Sequence, residues 1–392
     1  MSRSPCRTAA GFLLPLLLLP AGCRQQTKPT EDPSPPFVFR SLDLRQQDLQ
    51  GRPTWQLRSP EARYDLRRRV AQARDPEGVI FANGQPLYRL SATRGTVIND
   101  GEAILLEGLI RVDRLGDQLL QIRASRARWL PRRDRLIIDR APEAFDRQNR
   151  LSARRALFRF DKGRLELRGR PRLQHWARPF DPRRGLPTDP PETLITVDKA
   201  DWYPGTGELR TQGLVRGSRR PSGRPSDRPA QSLIAGSLSG NTLQQRYTLG
   251  APVRFEDPVE ENALTSGEVA MDLAAERATT NAAFQGRRGK LRASGVGLEV
   301  DGKKEQATIT SGCRLEQPGE NLRADRCQWN WSNQDVEADG PLELRRSSND
   351  QVTRGTRLRG RLGNEGTIEV SAPGGRVVSR FRARPARSAS PR

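Results

Sequence analysis

Ile122-Arg123-Ala124-Ser125-Arg126-Ala127-Arg128-Trp129 contains the pattern that decides the fold: an aliphatic residue, small residues two and five positions on, and an aromatic at the seventh. The spacing precedes this stretch as Leu57, Ser59, Ala62, Tyr64 and as Leu90, Ala92, Gly95, Val97. It follows as Leu151, Ala153, Ala156, Phe158 and as Ile195, Val197, Ala200, Trp202. Further on it returns as Leu291, Ala293, Val296, Leu298 and as Leu322, Ala324, Cys327, Trp329. The units recur about every 30 residues, the scale of one supersecondary element per repeat. An aliphatic residue and its neighbour two positions on share one face of a strand, but the step from second to fifth reverses the parity. A bulge or bend is predicted there. Gly163, Leu165, Leu167 and Gly169, and again Gly207, Leu209, Gly213 and Val215, read as a turn followed by a returning strand. The pattern predicts an all-β chain of successive antiparallel hairpins.

Composition agrees. Hydrophobic residues make up 34%, with 35 Gly, 30 Pro and only two Met, which suits a loop-rich exported β protein. A formal charge of +22 raises nucleic acid as a partner. The basic residues are spread through all the repeats, however, and the N-terminus directs the chain out of the cytoplasm, so no nucleic acid is expected. Only six of the 68 basic residues are Lys, a bias toward Arg that coding preference explains; a basic rim would still attract anionic headgroups or sugar phosphates.

Arg3 and Arg7 precede an apolar stretch, residues 9–21, that is too short to span a bilayer and is laid out like a secretory signal. Leu19-Pro20-Ala21-Gly22-Cys23 resembles a bacterial lipobox, in which Cys23 is acylated; Pro20 stands where Leu is usual, and the alternative is an ordinary cleaved signal. Arg24 at the next position is not the Asp that often retains lipoproteins at the inner membrane. The expected organisation is a signal over 1–22, a Pro-rich tether over 23–36 and a first β region over 37–176. Pro- and Arg-rich loops holding one β repeat then occupy 177–231, a second β region 232–382 and a disordered tail 383–392.

Of the remaining cysteines, Cys6 leaves with the signal. Cys313 and Cys327 flank a turn at Pro318-Gly319-Glu320-Asn321, so they form either a disulfide or a pair of small buried thiols. Signs of chemistry are few. A single histidine, His175, excludes a site that needs two imidazoles, and no nucleophile elbow, phosphate loop or zinc-type cysteine cluster occurs. Glu256, Asp257, Glu260 and Glu261 around Pro258 read as a solvated turn before a calcium site. The chain is expected to be no enzyme and to need no cofactor or metal.

Residues 37–112 resemble the LptC family of lipopolysaccharide-transport proteins. The likeness rests on Phe37, Phe39, Leu42, Leu44, Leu49, Gly51, Trp55, Leu57, Ala62 and Tyr64, then on Gly78-Val79-Ile80-Phe81 with Gly84, Pro86, Tyr88, Leu90 and Ala92, and on Ile104, Leu105, Gly108 and Val112. Ala200-Asp201-Trp202-Tyr203 with Gly207, Leu209, Gly213 and Val215 is similar to the related LptA and OstA-type repeat. The family's better-known members are about half this length and are held by a transmembrane helix.

The resemblance implies an elongated open β-jellyroll, a folded-over sheet around an apolar groove, joined edge to edge with an LptA-like bridge protein. It further implies a periplasmic, membrane-anchored component, with the inner membrane favoured over the outer, that takes lipopolysaccharide from an inner-membrane ABC transporter. Leu57, Leu90, Leu105, Leu120, Ile122 and Leu165 are the expected groove-lining residues. The alternatives are that these side chains fill a closed core, and that the chain is a structural or polysaccharide-binding envelope lipoprotein.

Overall fold

A computed structural model describes residues 37–220, 229–347, 350–363 and 367–381. The signal, Cys23 with its tether, and the tail 383–392 lie outside the described residues. Those described form one antiparallel sheet of 35 strands without an α-helix, an elongated jellyroll. No helix among them is long and apolar enough to cross a membrane.

Each repeat unit is a strand that turns a corner. Pro53–Ser59 carries Leu57 and Ser59, while Ala62 and Tyr64 sit on Glu61–Asp65; Gln85–Ser91 carries Leu90, while Gly95 and Val97 sit on Arg94–Ile98. In Gln121–Leu130 the strand stays continuous, but its register slips between Ala124 and Arg126, the step at which parity reverses. Bending at the same step in every unit folds the sheet into two walls. The first wall opens with Phe37–Phe39, Glu61–Asp65, Val70–Arg74 and Arg94–Ile98. The second opens with Leu42–Gln47, Pro53–Ser59, Glu77–Ala82 and Gln85–Ser91. Long strands such as Ala103–Arg114 and Gln121–Leu130 run through the corner and belong to both walls.

The small residues have a packing reason. Leu57, Leu90, Ile122 and Leu151 point inward from the second wall, facing Ala62, Gly95, Ala127 and Ala156 on the first, and nearly all of them are buried. The walls converge at the corner, so large side chains from one must meet small ones from the other to reach interior packing density.

The ladders continue across both stretches that the sequence marks as interruptions. Arg172–His175 pairs with Thr193–Thr196, and Val215–Arg219 pairs with Gln231–Ala235. Residues 177–192 strap the outer face of the second wall: Trp176 packs edge-on against Phe180, the Trp176 indole donates to the Asp189 carbonyl at 2.8 Å, and Arg123 donates to the Pro182 carbonyl.

Two further units emerge at the same spacing, Leu233, Ala235, Leu238, Gly240 and Leu264, Ser266, Val269, Met271; their register continues both inward files. One unit is corrected. Val296 sits at a bulge and is exposed, and pairing sets Ala293 opposite Leu315 and Leu298 opposite Ile309. The unit is therefore Ala293, Gly295, Leu298, Val300, two residues later than the sequence pattern suggested.

The interior holds two apolar clusters, one running from Trp55 to Val269 along the sequence and the other from Phe284 to Leu362. Between them small polar groups meet, with Ser266 Oγ 3.1 Å from Thr280 Oγ1. Cys313 and Cys327 are joined by a disulfide inside the second cluster, with Cα atoms 5.9 Å apart. They are not directly opposite: Cys313 faces Ala324 and Cys327 faces Ile309, so the bridge crosses the corner diagonally. Closing a loop with a sequence separation of 14 residues is worth about 3 kcal/mol. Cys313→Ala/Cys327→Ala is expected to lower the unfolding free energy of the second cluster by about that amount, as dithiothreitol does to the unmodified protein. Denaturant titration followed by Trp329 and Trp331 fluorescence checks this.

Candidate functional site

The space between the walls is the candidate site. Leu57, Leu90, Leu120, Ile122 and Leu165 all lie within the first apolar cluster and are at most 2% exposed. Leu105 is the correction. It is 37% exposed and faces outward, paired with Thr96 and Arg128, because its neighbours Ile104 and Leu106 take the inward positions of the same strand. Hydrophobicity alone groups it with the others, and hydrophobicity carries no parity.

Toward the mouth, away from the corner, aromatic side chains reach across from wall to wall. Trp55 meets Trp129 edge-on with ring centroids 5.6 Å apart, and Tyr88 meets Phe158 at 5.3 Å and Phe160 at 5.4 Å. Each such pair adds about 0.5–1.5 kcal/mol beyond the area it buries. The turns assist: Gln118 donates to the Gly205 carbonyl at 3.1 Å, linking a second-wall turn to a first-wall turn. Burial keeps the Tyr88 hydroxyl neutral by pushing its pKa up, with Arg114 opposing. The N-terminal part of the interior is thus filled and zipped shut in this conformation.

The aromatic slot at the seventh position recurs at Trp202 and Trp329, and both indole N–H groups are buried without a hydrogen-bond partner among the described residues. An unmet buried donor costs about 1–3 kcal/mol, so two at one repeat position call for an acceptor.

Between the clusters the apolar lining is part-exposed. Leu233, Phe255 and Leu264 of the second wall and Tyr247, Met271 and Ala278 of the first are neither buried nor fully open. A cleft of about 520 Å³ lies over the outer side of this part of the first wall, where Arg246, Thr248, Ala270, Asp272, Arg277 and Thr279 alternate with the inward Tyr247 and Met271. Burial raises the Tyr247 pKa, and Asp146 on the opposite wall adds to the rise.

His175 sits at the mouth of the second wall, its Nδ1 2.9 Å from Asn149 Oδ1. Burial lowers its pKa, against the pull of Glu192 and Asp146, so the ring is neutral and structural. Asp257 is buried as a turn cap, accepting from the Val259 and Glu260 amides and from Gln231. Among the described residues no cluster of His, Cys, Asp or Glu is arranged to hold a metal. The arrangement offers apolar surface and, at Trp202 and Trp329, two buried indole donors.

Among the described residues both ends of the folded sheet are open edges. Phe37, Val38 and Phe39 are exposed at one end, and Val377, Val378 and Phe381 at the other, beside strands with one side unpaired among those residues.

No curated protein matches the chain. Residues 10–173, which take in the N-terminal apolar stretch and the walls as far as Arg172–His175, match the family described as LptC: Lipopolysaccharide-assembly, LptC-related.

Proposed function

We propose that this chain is a periplasmic carrier in lipopolysaccharide export, anchored to a membrane through Cys23, that takes its cargo from an inner-membrane ABC transporter and passes it along the space between its walls. The family match over residues 10–173 supports the cargo class. The observation that carries the reading is the apolar lining between the walls, which forms one cluster from Trp55 to Val269 and a second from Phe284 to Leu362, with Ser266 and Thr280 meeting between them. Burying an acyl chain is worth ~0.8 kcal/mol per methylene, so a chain of about a dozen carbons gains on the order of 10 kcal/mol by leaving water. The interior is filled near Trp55 and Trp129, so entry there requires the aromatic pairs to part. Around Phe255, Tyr247 and Met271 a chain finds room first. An ester carbonyl of the lipid would accept from the Trp202 and Trp329 indoles. The open edges would pair by strand addition, the Val378–Arg380 end with an LptA-like bridge protein.

Lipopolysaccharide binding by the purified protein tests this. Phe255→Arg and Met271→Arg are expected to weaken binding tenfold or more while leaving the fold intact, since both positions are already part-exposed. A structural envelope lipoprotein would bind no lipopolysaccharide in any variant.

A further inference from the structure

The outer face of the first wall carries two different electrostatic designs. In the C-terminal part, opposite charges face each other and pair: Asp335, Glu337 and Asp339 stand across from Arg361, Arg359 and Arg357 at 3.7, 3.6 and 3.2 Å. In the N-terminal part, the register sets base against base. Arg74 faces Arg94, Arg126 faces Arg140, Arg135 faces Arg159, and Arg155 faces Arg168, which in turn faces Lys199. Like charges directly across a ladder destabilise a sheet.

Some of this charge is met locally. Glu107 lies between Arg94 and Arg126, and Glu166 and Asp201 hold Arg159, Arg164 and Arg168. Arg128, Arg140 and Arg155 are exposed and form no ion pair among the described residues. Arg128 and Arg155 line a cleft of about 590 Å³ with Leu105, Arg126 and Asp139. Beside it Leu105, Ile137 and Leu157 add aliphatic surface, so the face alternates guanidinium and hydrocarbon.

We propose that this face, centred on Leu105, Arg128, Arg140 and Arg155, docks on the surface of an anionic phospholipid bilayer. Arginines there would reach the phosphates while the aliphatic side chains sit at the headgroup boundary. The tether supports this occupant over an acidic protein. Residues 24–36 span at most about 45 Å when extended, so an acylated Cys23 would hold this end of the walls near a bilayer. Along the first wall Leu105 lies four strands from Phe37–Phe39, where the described chain begins, and Arg155 seven.

The test uses the full chain with Cys23→Ser, which removes acylation and keeps the N-terminal stretch the same in every variant. Flotation is measured with vesicles of pure phosphatidylcholine and of phosphatidylcholine with 30% phosphatidylglycerol. Near an anionic surface each arginine is worth about fivefold in partitioning, so Arg128→Gln/Arg140→Gln/Arg155→Gln should lose about 100-fold on the anionic vesicles. The charge-matched control, Arg357→Gln/Arg359→Gln/Arg361→Gln, should lose far less. Equal binding to both vesicle types, or equal loss in both triple variants, overturns the proposal. So does arginine-dependent binding of polyglutamate without vesicle binding, which would assign the face to an acidic protein. Thermal melts of both triple variants establish that each is folded.

Discussion

Ile122→Asp is expected to abolish folding of the N-terminal cluster, whereas Leu105→Asp is expected to change stability by no more than about 0.5 kcal/mol. Ile122 is 1% exposed and lies between Val112 and Ala144 on the inward face of the second wall. Removing the aliphatic side chain costs about 2–4 kcal/mol, and an unpaired carboxylate at the same place costs several more. That sum rivals the whole stability of a typical domain. Leu105 lies directly across the ladder from Arg128, so an aspartate there gains a favourable cross-strand partner in water. Soluble yield and the thermal transition of tryptophan fluorescence, measured side by side, check both outcomes.

The second large effect is expected at a corner. Gly213 has φ +84, in the left-handed region, and a Cβ added there would run into the Asp198 carboxylate and lie 2.8 Å from Asp198 Cβ. Asp198 is the third residue after Ile195, where the outgoing strand turns from the second wall to the first. Gly340 repeats the geometry against Asp325, three residues after Leu322. Gly108 against Thr93 and Gly169 against Arg154 share the arrangement, so at these corners a returning glycine lies against the turning residue of its neighbour. Gly213→Val is expected to cost about 1–2 kcal/mol for the backbone and a further 1–3 kcal/mol for the clash. Asp198→Gly added to Gly213→Val should recover the clash and leave the backbone cost. A double-mutant cycle in urea measures that coupling, and strict additivity would contradict the close approach.

The corner explains what could be read in the sequence. The aliphatic residue and its small partners are visible because the tight angle between the walls demands them, and the parity reversal marks the bend itself. At Leu233 and Leu264 the unit went unread, because its fifth position holds Leu238 or Val269 and its seventh Gly240 or Met271: away from the filled part of the interior, packing no longer requires small then aromatic. The misplaced unit at Leu291 has the same origin, since a bulge at Val296 shifts the inward face without changing the composition. Leu105 shows the limit for the site. Two leucines in succession, Leu105 and Leu106, face opposite sides of one strand, and only the pairing partner tells which is inside. Closure of the mouth by Trp55, Trp129, Tyr88 and Phe158 depends on contacts between residues some 70 positions apart, which no local spacing reports.

The central claim is that lipopolysaccharide travels between the walls and not along their outer surface. In-cell photocrosslinking compares probes at Trp202, Phe255 and Trp329, which face inward, with a probe at Leu105, which faces outward, followed by immunoblotting for lipopolysaccharide. Adducts at the three inward positions that depend on ATP, with none at Leu105, are the predicted result. Adducts at Leu105 with none from the interior, or none at any position in folded, probe-bearing protein, would contradict it.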